Sequence, residues 1–272
     1  MKFITQGPYY VWLPVITALG WFTTLFGLLL LRATSDHRKT DRSNEATVPF
    51  ISDIGAAHMT WFSSGCTTVA VFYIMTVVTE GWLKYHQRIP QLTRKWARYW
   101  GYSTIINGIL AAAWMVTQSV ISKFKHPDIH WQFTTMFITF ISFSGLSQLI
   151  EAFYLQKDYP DRAFLRRGAL IKVSIVPICI ILGWMVGILF FASESEMSPR
   201  QRDALLSTSA VCEWVVCFLL TLYFLTFAFD FWHVTKTSST CHVRIMSSIT
   251  LQGEEPYDSD VKLATLNSRD TV

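Results

Sequence analysis

Glu213 stands about one helical turn inside an apolar run, in Ala210-Val211-Cys212-Glu213-Trp214. A carboxylate there must be hydrogen-bonded, paired or protonated, because an isolated charge in a low-dielectric medium is costly. Groups of matching chemistry lie in two loops: Asp53 and His58 before the second apolar run, and His126, Asp128 and His130 before the fourth. General acid–base hydrolysis would need such carboxylates and imidazoles within hydrogen-bond reach of one substrate position. His126 and His130 are four apart, which puts two imidazoles on one helix face and can serve a metal if the helix starts early enough. Pro127 between them argues against the metal, and no G-x-S-x-G motif supplies a nucleophile. The expectation is therefore no catalytic residue, no metal and no cofactor.

A second set, Glu80, Glu151, Lys172 and Asp230, falls at the opposite ends of apolar runs. Three carboxylates and one ammonium at similar depth can pair, or can bind a lipid head group together with nearby arginines. The competing reading is long side chains snorkelling to the interface. Ahead of the second run, Pro49-Phe50-Ile51-Ser52-Asp53-Ile54-Gly55 reads as a structured re-entry segment, with Ser52 or Asp53 capping a short turn and Gly55 supplying a positive φ. Asp53 as a ligand contact is the alternative. Two candidate rims result: Pro49, Ser52, Asp53, Gly55, His126, His130, Glu213 and Trp214 on one side, and Glu80, Glu151, Lys172 and Asp230 on the other.

The elements that must position these residues are six apolar stretches, at 9–31, 60–82, 100–121, 131–153, 170–192 and 209–231. Each reaches the roughly 20 residues needed to cross about 30 Å of hydrocarbon. A mean hydropathy of +0.31 with 15% charged residues agrees. In lipid every backbone donor and acceptor must be satisfied within the segment, so the expected fold is all-α, a polytopic bundle of six transmembrane helices over residues 1–234. Small residues in the second and fourth spans, and Gly183 and Gly187 in a GxxxG arrangement, predict close helix packing within the chain. Residues 235–272 are rich in Ser and Thr and then acidic, the composition of a disordered tail.

Charge sidedness sets the orientation. Loops 83–99 and 154–169, together with Lys2, Lys236 and Arg244, put 12 Lys/Arg on one side against 8 on the other. The positive-inside rule then places both termini in the cytosol. Arg32, Arg38, Lys39 and Arg42 pull the other way. Of the five cysteines, four lie in spans and none in an exoplasmic loop, so no disulfide framework is expected. The charge of +4 is spread out, with no nucleic-acid-binding face.

The Pro49–Gly55 segment resembles the P-x-I-S-D-x-G signature of the FRAG/DRAM/SFK six-span membrane proteins, which include the damage-regulated autophagy modulators. The run Ser209 to Trp214, continuing through Tyr223-Phe224-Leu225-Thr226-Phe227 to Asp230-Phe231, is similar to the last span of that family. The resemblance covers roughly residues 8–235. The first loop lacks the cysteines of some animal members, and His126-Pro127-x-x-His130 and the Arg166-Arg167 loop look more like fungal ones. The resemblance implies a multispan regulator rather than a known catalyst. In the SFK branch the association is with phosphoinositide-kinase recruitment at the plasma membrane and with phospholipid asymmetry; in the DRAM branch, with lysosomal autophagy; in a distant branch, with GPI-anchor lipid remodelling.

The leading expectation is a non-enzymatic regulator of lipid organisation or of phosphoinositide-kinase recruitment, in the plasma membrane or alternatively an endomembrane. Arg94, Lys95, Arg166 and Arg167 would face anionic head groups on the cytosolic side, each worth up to about 1 kcal/mol near the surface. One alternative is lipid or solute translocation past Glu213, Asn107 and Gln148, although no inverted repeat or broken-helix pair supports it. The other is an exoplasmic lipid-remodelling hydrolase using Asp53, His126, His130 and Glu213.

Overall fold

A computed structural model describes residues 8–34, 46–86, 95–159 and 163–252. A 3-10 turn, Pro8–Val11, leads into α1 (Trp12–Thr34); then come α2 (Ile51–Ala57), α3 (Met59–Tyr85), α4 (Lys95–Val120), α5 (Pro127–Asp158), α6 (Ala163–Ala192) and α7 (Pro199–Gln252). Among the described residues, six helical segments are long and apolar enough to cross a membrane, the first including the 3-10 turn, and they match the six stretches expected, the third ending at Val120, one residue early. The chain divides into two compact units, 1–234 and 235–272, and the packing described below is that of the first.

The helices overrun the apolar stretches because hydropathy marks the hydrocarbon, whereas a helix continues until its backbone is stopped. Pro127 opens α5 four residues before the apolar run, at the first helical position, where its missing N–H costs nothing. From Arg200 to Gln252 there is neither Gly nor Pro. The α7 backbone is accordingly helical to Gln252, past Thr235, where composition had suggested disorder; residues 253–272 lie outside the described residues.

Chain neighbours pack in sequence: α1 on α3, α3 on α4, α4 on α5 and α5 on α6. The last helix closes the bundle. Trp21 donates its indole N–H to the Cys217 carbonyl (2.7 Å), Ser209 donates to the Val186 carbonyl (2.8 Å), and Phe224 and Phe227 lie against the Tyr73 ring. Leu25, Val69, Val77 and Phe227 fill the centre, while Leu19, Val71, Ile106, Ile181 and Ile188 face outward, as a bundle solvated by lipid requires.

Small residues set the closest approaches. A methyl group on Gly27 would overlap the Trp61 ring, and one on Gly65 would overlap Thr24, so α1 and α3 meet almost backbone to backbone. The GxxxG expectation holds for one half only. Gly183 packs against Ile138, but nothing lies within 4 Å of where a Gly187 side chain would begin. Cys66, Cys179, Cys212 and Cys217 are free thiols.

Candidate functional site: two polar rims

The bundle collects its buried ionisable groups at its two ends. At the first, the chain descends from Ala46 and turns into α2, whose free N–H groups need partners inside protein. Two carboxylates supply them. Glu213 of α7 accepts from Ile51 N–H at 2.7 Å, and the Ser52 N–H bonds to the same carboxylate. Asp53, at the third helical position and 1% exposed, reaches back to accept from Phe50 N–H at 3.1 Å, the acidic half of a capping box. Its other oxygen takes the Lys123 ammonium at 2.6 Å, and that ammonium also lies 4.5 Å from the centre of the Phe50 ring. Trp214 donates its indole N–H to the Pro49 carbonyl at 3.1 Å.

The signature segment and the last span are thus two halves of one joint. Two expectations for it change. Phe50, not Ser52 or Asp53, is the N-cap residue. Gly55 is needed for close approach rather than for a positive φ: it is buried within α2, and a methyl group there would come 2.8 Å from the Phe62 ring.

The two histidines do not share a helix face. His126 precedes the first helical residue and is exposed, with φ −139°. His130 is buried, and its Nδ1 pairs with the Ile121 carbonyl at 3.1 Å. Among the described residues no group of three His, Cys, Asp or Glu is placed to hold a metal. Asp128 sits in the first turn of α5, where its charge suits the helix dipole, and is exposed. His58 joins α2 to α3. Asp53, Glu213 and His130 are each held by a partner that shapes the fold.

The opposite end satisfies its charges differently. Lys84 of α3 binds Glu80 on its own helix and Glu151 on α5, both at 2.8 Å. Lys172 of α6 binds Asp230 of α7 at 2.5 Å, and Glu80 is close enough to Asp230 to act on it electrostatically. All four expected residues therefore meet in one layer. It holds three carboxylates and two ammonium groups, and Glu80 Oε2 and Glu151 Oε2 are buried with no hydrogen-bond partner among the described residues. The Glu151 carboxylate lies against Gly101 of α4, at ordinary contact distance from where a side chain there would begin. Lys84 was counted from sequence only as a loop charge, although Glu80 and Lys84 at i and i+4 form the favourable helix pair. Lys123 had no such signal, since its partner lies 70 residues away.

Deeper in the bundle, Gln148 is buried with both amide atoms unpartnered, while Asn107 donates to the Ser103 carbonyl and hydroxyl. Tyr73 and Ser144 join hydroxyls at 3.3 Å. Outside the Lys84 layer, Arg98, Arg166 and Arg167 are exposed; Arg94 lies outside the described residues, and of Lys95 only the backbone is described.

A family model described as the Frag1/DRAM/Sfk1/Cwh43P N-terminal domain matches residues 9–234. "Protein sfk1" of Schizosaccharomyces pombe (strain 972 / ATCC 24843) is 28% identical over 224 residues, 82% of this chain. The match spans 64% of that relative's length. No solved structure matches. The chain belongs to the Frag1/DRAM/Sfk1/Cwh43P family, and the joint between Pro49–Gly55 and Glu213-Trp214 lies inside the matched region.

Proposed function

We propose that this chain organises anionic lipid at its Lys84 end, on the cytosolic side of the plasma membrane, and through that lipid helps to recruit a phosphoinositide-kinase complex. One observation carries the reading. Most of the exposed belt aromatics gather at this end, Trp61 at the other end being an exception: Tyr9 in the 3-10 turn and Trp12 at the start of α1, Tyr85 at the end of α3, Trp96, Tyr99 and Tyr102 on α4, and Trp232 on α7. Trp96 is 78% exposed and Tyr85 77%. Contact of Tyr10 with Phe231, and of Val11 with Leu83, brings these helix ends together. Arg98, near the start of α4, and Arg166 and Arg167, near the start of α6, are exposed. Amphipathic rings at head-group depth with guanidinium groups beside them suit a leaflet rich in anionic lipid. Lys84 and Lys172 take no part, because carboxylates occupy them.

The test is charge reversal at Arg94, Lys95, Arg166 and Arg167 in cells that depend on the chain, read with phosphoinositide and exposed-phosphatidylserine reporters. The expected result is altered reporter distribution with the protein still in its membrane. Unchanged distribution and unchanged kinase recruitment would end the proposal. A role in autophagy would rest on the same lipid surface.

Translocation through the bundle is a second reading, favoured by the unpartnered buried atoms of Glu80, Glu151 and Gln148. Reconstituted protein that moves neither lipid nor solute would remove it.

A further inference from the structure

The Asp53 end carries a pocket beside the joint between α2 and α7, with Phe50 and Asp53 in its wall. It opens between α5, the end of α6 and the Phe50 turn, with a volume of about 530 Å³. Its walls are aromatic: the Trp131 and Phe190 rings pack on each other with centroids 3.9 Å apart and planes tilted by 35°, Phe50 meets Phe190 edge-on at 6.2 Å, and Phe191 extends the same surface outward. Its charges are Asp53, Asp128 and Glu194 against Lys123. Because Lys123 is bound to Asp53, the pocket keeps an acidic surplus from Asp128 and Glu194, both exposed at its mouth.

This combination selects a ligand class. A metal ion or a primary ammonium needs several oxygen acceptors arranged around it, and no metal-holding cluster exists among the described residues. An anion would meet carboxylates. A quaternary ammonium has no N–H to satisfy, is attracted to ring faces, and gains from a carboxylate nearby. Position supplies the rest: the pocket sits where α5 and α6 leave the apolar core, beside exposed Met136 and Phe191, so an occupant with acyl chains would continue along an apolar flank.

We propose that this pocket binds the trimethylammonium head group of a membrane lipid. The face that the Trp131–Phe190 stack turns toward the pocket receives the cation, Asp128 and Glu194 balance its charge, and the chains run down the outside of α5. The site stands apart from the basic surface at the Lys84 end and survives if that reading fails.

The experiment uses the full chain purified in a maltoside detergent and titrated with lysophosphatidylcholine or with lysophosphatidylethanolamine of the same chain length, retention being read by native mass spectrometry. The choline lipid should be held at least about fivefold more tightly, the discrimination expected of a cation over aromatic faces. Asp128→Asn with Glu194→Gln, both at exposed positions, and separately Trp131→Leu, should each lower that preference, while Trp131→Tyr keeps part of it. Equal retention of the two lipids, or a preference untouched by both the charge-removing pair and Trp131→Leu, would overturn the proposal. Complete displacement by millimolar choline chloride would make free choline the ligand and overturn the lipid assignment.

Discussion

The two ends of the bundle bury acidic side chains at comparable depth and dispose of them in opposite ways. At one, Asp53 and Glu213 end on backbone N–H groups at the start of α2, with a single ammonium, Lys123, beside them. At the other, Glu80, Glu151 and Asp230 end on the side chains of Lys84 and Lys172, and two carboxylate oxygens are left over. The first arrangement ties a loop onto a span, and its acids do the work that caps do in any helix. The second ties α3 to α5 and α6 to α7 through charge alone. A buried ion pair is costly to break but contributes little net stability when whole, so this end is held more precariously. It is also the end with the most exposed ring residues, Trp96, Tyr85 and Tyr9.

If that contrast is right, the largest stability loss comes from Lys84→Met. The change leaves Glu80 and Glu151 facing each other in a buried site and should cost about 3–5 kcal/mol. Thermal unfolding of the full chain in detergent measures it. A loss under 1 kcal/mol would mean that water already solvates this layer.

At the other end, Glu213→Ala strips the acceptor from Ile51 N–H and should cost about 1–3 kcal/mol, whereas Glu213→Gln retains an oxygen there and should cost clearly less. Equal losses for the two would show that the carboxylate charge matters beyond capping. Gly55→Ala drives a methyl group into the Phe62 ring and should cost about 1–3 kcal/mol as α2 lifts from α3. The smallest effect belongs to His126→Ala, within about 0.5 kcal/mol because the side chain is exposed. Added zinc should leave the unfolding of the wild-type chain unmoved. A zinc-dependent rise that His126→Ala abolishes would restore the metal reading of the two histidines.

The spans were legible because a lipid solvent imposes a length and a composition on every crossing segment, and both are local properties. Their ends were less so: hydropathy falls off where the hydrocarbon ends, but the backbones of α5 and α7 keep their hydrogen bonds outward to Pro127 and Pro199. Residue types at the two rims were legible for the same reason as the spans, since an ionisable group inside an apolar run stands out. Partnerships were not. Glu213 meets Ile51 across 162 residues and Lys123 meets Asp53 across 70, and no periodicity encodes either. The Glu80–Lys84 pair was the exception, readable from its spacing of four. Gly55 shows the remaining limit: a glycine in a turn-like motif looks like a conformational requirement, and only the Phe62 ring reveals a steric one.

The most direct test of the division between the ends swaps equal charge at each. Arg166→Glu with Arg167→Glu alters the Lys84 end; Lys125→Glu with Arg200→Glu alters the Asp53 end, and all four side chains are exposed. Each double variant, in nanodiscs containing phosphatidylinositol phosphate, is assayed for anionic lipid retained through purification. The account predicts that the first pair loses most of the retained lipid and the second keeps it. Equal retention by both variants, or loss from the second alone, would contradict it.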